Sequence, residues 1–241
     1  MFTDNNILLK EVTSTNSYAL ELKNTAVFRE GLVVTADFQT GGKGQRGKEW
    51  ESNRNENLLL SVVVEPNISA ENQFDINFLS SLAVMDCLND FHIDSHIKWP
   101  NDILVNKFKI AGILIQNLIS KNIITHTVIG IGLNINQVKF SNFFPKATSI
   151  QNELGVTINI SEVKNSLLNA LQHRLVKYRL SCDLKDDYLS NLFKKDKVSS
   201  FETNNQKFTG IIRGVTKNGM LKIETENCLK EFNLQEVKML F

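Results

Sequence analysis

The sequence has little cysteine and no excess of either charge. Its three cysteines, Cys87, Cys182 and Cys228, lie far apart and show no C-x-x-C spacing. They therefore predict neither a disulfide framework nor a structural zinc site, and we expect plain thiols. The 27 Lys and Arg residues against 26 Asp and Glu give a net charge of +1, whereas proteins that bind duplex nucleic acid normally have a strongly basic face. We therefore expect no DNA partner, and any cationic site must be local.

The sequence also lacks a recognisable targeting segment. Residues 1–16, MFTDNNILLKEVTSTN, have neither the basic stretch and apolar run of a signal peptide nor the length of a membrane span. We therefore expect no membrane partner and a cytoplasmic location. The 241 residues can bury one full core and a small second one, because domains usually run to about 100–200 residues.

Hydrophobic spacing predicts two long helices and several strands. Residues 31–38 and 57–65 are β-branched or apolar runs, which are typical of buried strands. Apolar residues recur at three- and four-residue intervals over 71–91 and 161–180. This spacing is typical of amphipathic helices, and Ser161 is the expected N-cap of the second. A strand-rich block lies between the helices, with hairpin breaks expected at residues 106–107 and 121–122.

This order of elements predicts an α+β fold. Strands joined by tight turns are antiparallel, so we expect an antiparallel or mixed sheet with helices against one face rather than alternating βαβ units. After a charged helix near residues 187–196, short strands alternate with turns, including the hairpin signal Asn218-Gly219. Such spacing is typical of a small barrel. We therefore predict a larger domain over residues 1–195 and a small barrel domain over 196–241.

Residues 39–50, QTGGKGQRGKEW, satisfy two phosphate-binding motifs at once. Gly42, Gly44 and Gly47 fit G-x-G-x-x-G, and residues 42–48 fit a P-loop with Glu49 in place of its final Ser or Thr. Both motifs need a helix that begins at the glycines, but the residues that follow have no helical period and run into a strand. Both readings are therefore rejected in favour of a glycine-rich loop between strands.

The loop nevertheless has the composition of an anion site. Lys43, Arg46 and Lys48 put three cations within six positions, and Trp50 offers a flat face for an aromatic base. Glycine lets the backbone approach a ligand closely, and several cations together can neutralise an anion such as a triphosphate. A solvated basic turn between strands accounts for the loop alone equally well.

Two further segments carry candidate functional groups. In KWPND, residues 98–102, Asp102 lies beside amide and ammonium donors, a set that can hold a metal ion, orient an amine or simply form a turn. Lys109 begins an apolar strand, and Gly112 leaves space for a ligand near its ammonium group. A lysine at the end of a strand is also commonly an ordinary surface residue.

Two more segments have a structural alternative beside the functional one. Gly130 and Gly132 interrupt a strand, which marks either close approach of another group or a bulge. TSTN, residues 13–16, is equally an N-cap for the following helix and a cluster of hydrogen-bonding groups.

Taken together and in this order, five segments resemble the biotin protein ligases, also called biotin–acetyl-CoA-carboxylase ligases. They are STN at 14–16, QTGGKGQRGKEW at 39–50, KWPND at 98–102, KIAGILIQ at 109–116 and GIGLNIN at 130–136. The resemblance implies a catalytic domain related to class II aminoacyl-tRNA synthetases, followed by an SH3-like barrel. Because only thirteen residues precede STN, no DNA-binding domain is expected and the chain resembles the monofunctional ligases. We expect a monomer or a homodimer.

The resemblance implies two reactions. Biotin and ATP-Mg²⁺ give biotinyl-5'-AMP and pyrophosphate, and a lysine of a carboxylase's biotin carboxyl carrier protein or domain then takes the biotinyl group. Lys109 would contact both the biotin carboxylate and the α-phosphate, with Arg46 clamping phosphate oxygens. Asp102 would orient the acceptor amine or take its proton, and could assist a metal ion.

The resemblance also implies two groups of binding residues. Biotin would contact Ser14, Thr15, Asn16, Gln39, Lys43, Gly44, Gln45, Lys109 and Gly112. ATP or the adenylate would contact Lys43, Arg46, Lys48, Trp50 and Asn134. Many relatives read G-R-G-R in the loop, whereas this chain has Gln45 at the fourth position. Either Arg46 substitutes from the next position, or Gln45 holds the loop through neutral hydrogen bonds.

The sequence leaves two alternatives open. A lipoate or octanoate ligase shares the catalytic fold, but its ligand has no ureido ring for Gln39 and residues 14–16 to bind. A non-enzymatic binding module is the second alternative, and the complete set of lysine, aspartate and glycine loop argues against it.

Overall fold

The computed structural model describes residues 2, 5–141, 145–234 and 236–240, with the side chain of Arg46 outside the described part. Within these residues the chain forms two β-sheets and five α-helices. The first sheet contains β1 (Asn5–Leu9), β2 (Leu32–Ala36), β3 (Asn57–Val64), β4 (Ile68–Ser69), β5 (His96–Lys98), β6 (Asp102–Val105), β7 (Phe108–Ser120) and β8 (Ile123–Asn134). The helices are α1 (Thr15–Glu21), α2 (Asp75–Asp90), α3 (Ile150–Leu154), α4 (Ile160–Arg179) and α5 (Lys185–Ser190). The second sheet contains β9 (Val198–Thr203), β10 (Gln206–Val215), β11 (Leu221–Glu224), β12 (Leu229–Phe232) and β13 (Lys238–Leu240).

The first sheet is mixed, in agreement with the predicted α+β class. Its strand order is β1-β2-β3-β8-β7-β6-β5, with β4 paired to β8. The β1–β2 pair is parallel. The neighbouring pairs β2–β3, β3–β8, β8–β7, β7–β6 and β6–β5 are antiparallel. Both expected hairpins are present, and Asn106, Lys121 and Asn122 take the positive φ values, 54°, 47° and 64°, that tight turns need. Local turn chemistry was therefore sufficient to find these connections.

Helices pack against both faces of the first sheet, not against one face as expected. On one face α2 and α4 share a core with Val62, Ile113 and Ile131. On the other face the short α1 packs on Val34 and Val128. The prediction missed this because α1 is too short to show a clear helical period. The face covered by α1 is also the face that carries the candidate site.

The two long helices differ in detail from their prediction. Helix α2 is not an ordinary amphipathic helix, because α4 covers its outer side and even Ser80 and Ser81 are buried. Ser80 satisfies its hydroxyl by donating to the carbonyl of Ile76 at 2.6 Å. The N-cap of α4 is Asn159, not Ser161, since the Asn159 side chain accepts from the backbone N–H of Ser161 at 2.9 Å.

The second sheet has the order β12-β11-β10-β9-β13, and its described pairs are antiparallel. The turn between β10 and β11 reaches the residues that join β5 and β6, where the Trp99 indole N–H donates to the carbonyl of Gly219 at 2.8 Å. Closure into an SH3-like barrel and the boundary at residue 195 stay predictions. Among the helices described, none is both long and apolar enough to cross a membrane.

Candidate active site

Two glycines open a depression in the face of the first sheet beneath α1. Asp102, Gly112, Gly132 and Leu59 lie side by side on β6, β7, β8 and β3. Because the row crosses two glycines, its centre has no side chains. A Cβ atom at Gly132 would lie 2.3 Å from Cε2 of Trp50, so the indole rests directly against the backbone. This contact supports the close-approach interpretation of Gly132 over a bulge.

The next row on the same face carries a polar network. Gly130 pairs with Ser61, and a Cβ atom at Gly130 would lie 2.2 Å from Oδ1 of Asn16. Ser61 donates to that Asn16 oxygen at 2.6 Å and lies 2.7 Å from Oγ1 of Thr15. The backbone N–H and hydroxyl of Thr15 both donate to Oε1 of Gln39, at 2.7 and 3.0 Å. Neutral hydrogen-bonding groups therefore line this end of the depression.

The first turn of α1 positions the side chains of this network. Ser14 has an extended backbone, and its Oγ accepts from the N–H of Ser17 at 3.5 Å, so it is the N-cap of the helix. The cap places Thr15 and Asn16 in the first turn, where both are almost completely buried against the sheet. Asn16 is held further by donating to the Leu114 carbonyl at 3.1 Å. The segment thus both caps a helix and supplies hydrogen-bonding groups.

A β-bulge turns Lys109 into the depression. In a regular strand Lys109 would share a face with Ala111 and Ile113, which are buried in the core on the other side. The pairing of β6 with β7 shifts register between Ile103 and Leu104, which leaves Ile110 as the extra residue. The Lys109 ammonium consequently approaches the Gly112 side of the strand, 3.2 Å from where a Cβ atom would stand. It also lies 5.4 Å from the Trp50 ring centroid.

Asp102 binds two lysines at the edge of the depression. Its Oδ1 lies 2.6 Å from the Lys109 ammonium, and its Oδ2 lies 3.0 Å from the Lys98 ammonium. Burial alone would raise the pKa of Asp102, but the charges of Lys109 and Lys98 and their hydrogen bonds outweigh it and lower the pKa below its usual value. Asp102 is therefore a carboxylate across the neutral pH range, and the cluster carries one net positive charge.

Two buried polar atoms at the other end of the depression, Nε1 of Trp50 and Oδ1 of Asn134, have no hydrogen-bond partner among the described residues. Asn134 is otherwise fixed, because its Nδ2 donates to the Thr148 carbonyl at 3.0 Å. The N–H of Thr148 in turn donates to the Lys109 carbonyl at 2.9 Å, which ties Asn134 to the strand that carries Lys109. Unpaired buried polar atoms are costly and mark places that a ligand can satisfy.

The glycine loop folds back on itself as a small hairpin. Trp50 N–H donates to the Gly42 carbonyl at 2.9 Å and Gly44 N–H to the Lys48 carbonyl at 2.6 Å, with one 3-10 turn over Gln45–Gly47. The backbone described over this loop starts no long helix, which supports the rejection of both phosphate motifs. The Lys43 ammonium donates to Oγ of Ser17 at 3.2 Å. The predicted role of Arg46 falls on a side chain outside the described part.

The structure brings the sequence-predicted residues together. One cavity of about 840 Å³, which also extends to Phe201 and Ile212 of the second sheet, is lined on the side of the first sheet by Ser14, Thr15, Asn16, Gln39, Lys43, Gly44, Gln45, Lys48, Trp50, Asp102, Lys109, Gly112 and Asn134. Sequence reasoning assigned no role to Ser61, and it considered Lys98 only as an ammonium donor beside Asp102 in KWPND. Ser61 could have been found as the one hydroxyl in the apolar run of β3. In the described part of the chain no group of three or more His, Cys, Asp or Glu could hold a metal ion, so a metal role for Asp102 stays a prediction.

Residues 8–134, which include strands β2 to β8 and helices α1 and α2, match the biotin/lipoate A/B protein ligase family. The chain belongs to this family. The bifunctional ligase/repressor BirA of Bacillus subtilis is 29% identical over 246 residues, and the match covers 95% of this chain and 72% of that protein. The biotin–[acetyl-CoA-carboxylase] ligase of Mycobacterium tuberculosis is 28% identical over 227 residues, covering 90% and 82%.

A solved structure of another biotin protein ligase is similar to this chain over nearly its whole length. The biotin protein ligase from Aquifex aeolicus, in complex with biotin and ATP, superposes with a TM-score of 0.80 at 27% identity. The superposition covers 98% of this chain and 99% of that one, so the second sheet has a counterpart there as well. The resemblance found in the five sequence segments is thereby confirmed, whereas the absence of a DNA-binding domain stays a prediction.

Proposed function

We propose that this protein is a biotin–[biotin carboxyl carrier protein] ligase, which activates biotin with ATP and transfers it to a carrier lysine. One observation carries the proposal above the others. The Lys109 ammonium lies in the depression at Gly112 and Gly132, between a network of neutral hydrogen-bonding groups and the atoms of Trp50 and Asn134 that have no partner among the described residues. A ligand with an uncharged ring, an anionic reaction centre and a nucleobase would place these three parts against the neutral network, Lys109, and the Trp50 and Asn134 side chains, respectively.

The neutral network suits the ureido ring of biotin. That ring has two N–H donors and one carbonyl acceptor, and burying each of them unpaired would cost about 1–3 kcal/mol. Asn16, Thr15, Gln39 and Ser61 supply both donors and acceptors without any charge. A lipoate or octanoate chain has no such groups and would leave this network without a ligand partner.

The unpartnered atoms suit a nucleotide. Oδ1 of Asn134 can accept a hydrogen bond from an exocyclic amino group such as that of adenine, and the Trp50 indole supplies a flat face and an N–H donor. Both side chains line the cavity that contains Lys109. We place the adenosine part of ATP at this end, with Lys43, Lys48 and Arg46 of the glycine loop beside its phosphates.

In the first reaction a carboxylate oxygen of biotin attacks the α-phosphorus of ATP. The new O–P bond forms as the bond to pyrophosphate breaks, and pyrophosphate leaves with its Mg²⁺, which arrives with the nucleotide as part of the substrate. The two reacting groups are anions that repel each other. Lys109 contacts both and stabilises the charge that builds up between them.

In the second reaction the carrier lysine loses a proton to solvent and its amine attacks the acyl carbon of biotinyl-5'-AMP. AMP leaves as the C–N bond forms, and the remaining proton of the attacking nitrogen also passes to solvent. Asp102 orients the incoming ammonium group. Because its pKa is lowered by two lysines, it is a weak base, and orientation contributes more than proton removal. The proposal includes a cytoplasmic carboxylase carrier as partner, an SH3-like closure of the second sheet and a catalytic domain related to class II aminoacyl-tRNA synthetases.

Biotin-dependent exchange of pyrophosphate into ATP tests this function. We expect exchange with biotin and MgATP, and none when lipoate or octanoate replaces biotin. Exchange with lipoate alone would make the protein a lipoate ligase, and no exchange with either acid would make it a binding module. Lys107 is exposed and lies two residues before Lys109, so the Lys107→Ala variant should show the same exchange rate as the unmodified protein.

A further inference from the structure

Lys98 has no role in the two reactions above, yet its side chain is largely buried beside the reaction centre. Its ammonium lies 3.0 Å from Oδ2 of Asp102, and its side chain is only 19% exposed. Lys98 and Asp102 face each other as paired residues of the β5–β6 hairpin. The Trp99 indole holds this hairpin in place by donating to the carbonyl of Gly219 in the β10–β11 turn. Strand pairing and the Trp99 hydrogen bond therefore both hold the Lys98–Asp102 contact in place, and the contact is more buried than an ordinary surface ion pair.

The charges explain why two lysines are needed. Without substrate, Lys109 and Lys98 share one carboxylate, and the cluster is cationic by one charge. When biotin binds, its carboxylate brings a second negative charge to Lys109. If Lys98 were absent, two carboxylates would compete for one ammonium group, and Asp102 would repel the substrate across a partly buried site where charges are weakly screened.

We propose that Lys98 is a positioning residue that neutralises Asp102 while Lys109 turns to the biotin carboxylate and the α-phosphate. Lys98 acts through Asp102 and does not contact biotin. Asp102 can then remain next to an anionic intermediate until the acceptor ammonium arrives. This inference rests on the proposed function and assigns the ligase reaction a residue outside the binding groups predicted from the sequence.

The test compares a charged ligand with a neutral one. Lys98→Met keeps most of the side-chain stem and removes the charge. By calorimetry its dissociation constant for biotin should rise by about tenfold or more, while that for biotinol, in which an alcohol replaces the carboxylate, stays within about twofold. Lys98→Arg should keep biotin binding near that of the unmodified protein.

A second variant tests the route through Asp102. If Lys98 acts by neutralising Asp102, then Lys98→Met combined with Asp102→Asn should bind biotin within about threefold of Asp102→Asn alone. Unchanged biotin binding in Lys98→Met, or equal losses for biotin and biotinol, would overturn the proposal. So would a double variant as weak as Lys98→Met. The proposed function is judged separately, by pyrophosphate exchange in the unmodified protein.

Discussion

Replacing Lys109 by methionine removes the cation that the bulge in β7 directs into the depression at Gly112 and Gly132. Methionine keeps the stem that packs near Gly112 and Trp50, so the change is close to a deletion of charge. Loss of one preorganised electrostatic contact to a transition state costs about 2.7–4 kcal/mol, or about 10²–10³ in rate. We expect biotin-dependent pyrophosphate exchange to fall by this factor.

The same change should have a much smaller effect on folding. The Lys109 side chain is 27% exposed, and Asp102 keeps Lys98 on its other oxygen, so its carboxylate is not left buried and unpaired. We expect the free energy of unfolding to fall by no more than about 2 kcal/mol. Urea denaturation followed by circular dichroism measures this quantity on the preparation used for exchange.

The matched control is Lys107→Met, at an exposed position on the same hairpin. It should leave both exchange and stability unchanged. Exchange by Lys109→Met within about threefold of the unmodified protein, a difference under about 1 kcal/mol in the barrier, would refute the central role of Lys109. A loss of exchange that tracks unfolding would refute it equally.

Three other changes test separate parts of the site. Asp102→Asn removes only the charge, so single-turnover transfer to the carrier should fall by about a hundredfold while adenylate formation stays within about tenfold; equal losses in both steps would contradict the orienting role. Gly130→Ala would put a Cβ atom 2.2 Å from Oδ1 of Asn16, so biotin affinity measured by calorimetry should fall by about tenfold or more. Gly219→Ala adds a Cβ atom 2.0 Å from the Phe74 ring at a φ of +84°, so the free energy of unfolding should fall by about 2 kcal/mol or more.

Gly155 provides the control for the last of these changes. It has a similar φ of +75°, but a Cβ atom added there would meet no atom within 4 Å from the described residues beyond its chain neighbours. Gly155→Ala should therefore show the backbone strain without the clash, and it should be clearly milder than Gly219→Ala. Equal losses would mean that close packing of the β10–β11 turn against Phe74 contributes little.

Features set by local chemistry could be predicted from the sequence. The turns at Asn106 and Lys121 need residues that tolerate positive φ, and the buried strands β2 and β3 appear as continuous apolar runs. The glycine loop could be separated from a phosphate-binding helix because no helical period follows it in the sequence. The candidate residues come from five separate motifs and line one cavity. Each motif alone had a structural explanation, so the site could be predicted only from their combination.

Features that depend on register or on distant neighbours could not be predicted. The bulge at Ile110 decides which face Lys109 takes, yet nothing in KFKIAG distinguishes a bulged strand from a regular one. The burial of Ser80 depends on α4, which begins 80 residues later in the sequence. Lys98 could be read as an ordinary charged turn residue until the hairpin placed it against Asp102.

Tandem mass spectrometry of a biotin carboxyl carrier domain, incubated with this protein, biotin and MgATP, shows directly whether the protein transfers biotin to a carrier lysine. We expect one added biotinyl group on a single carrier lysine, dependent on both biotin and ATP and lost with Lys109→Met. A carrier that stays unmodified under these conditions, or one that is modified equally well by the Lys109→Met protein, would contradict this expectation.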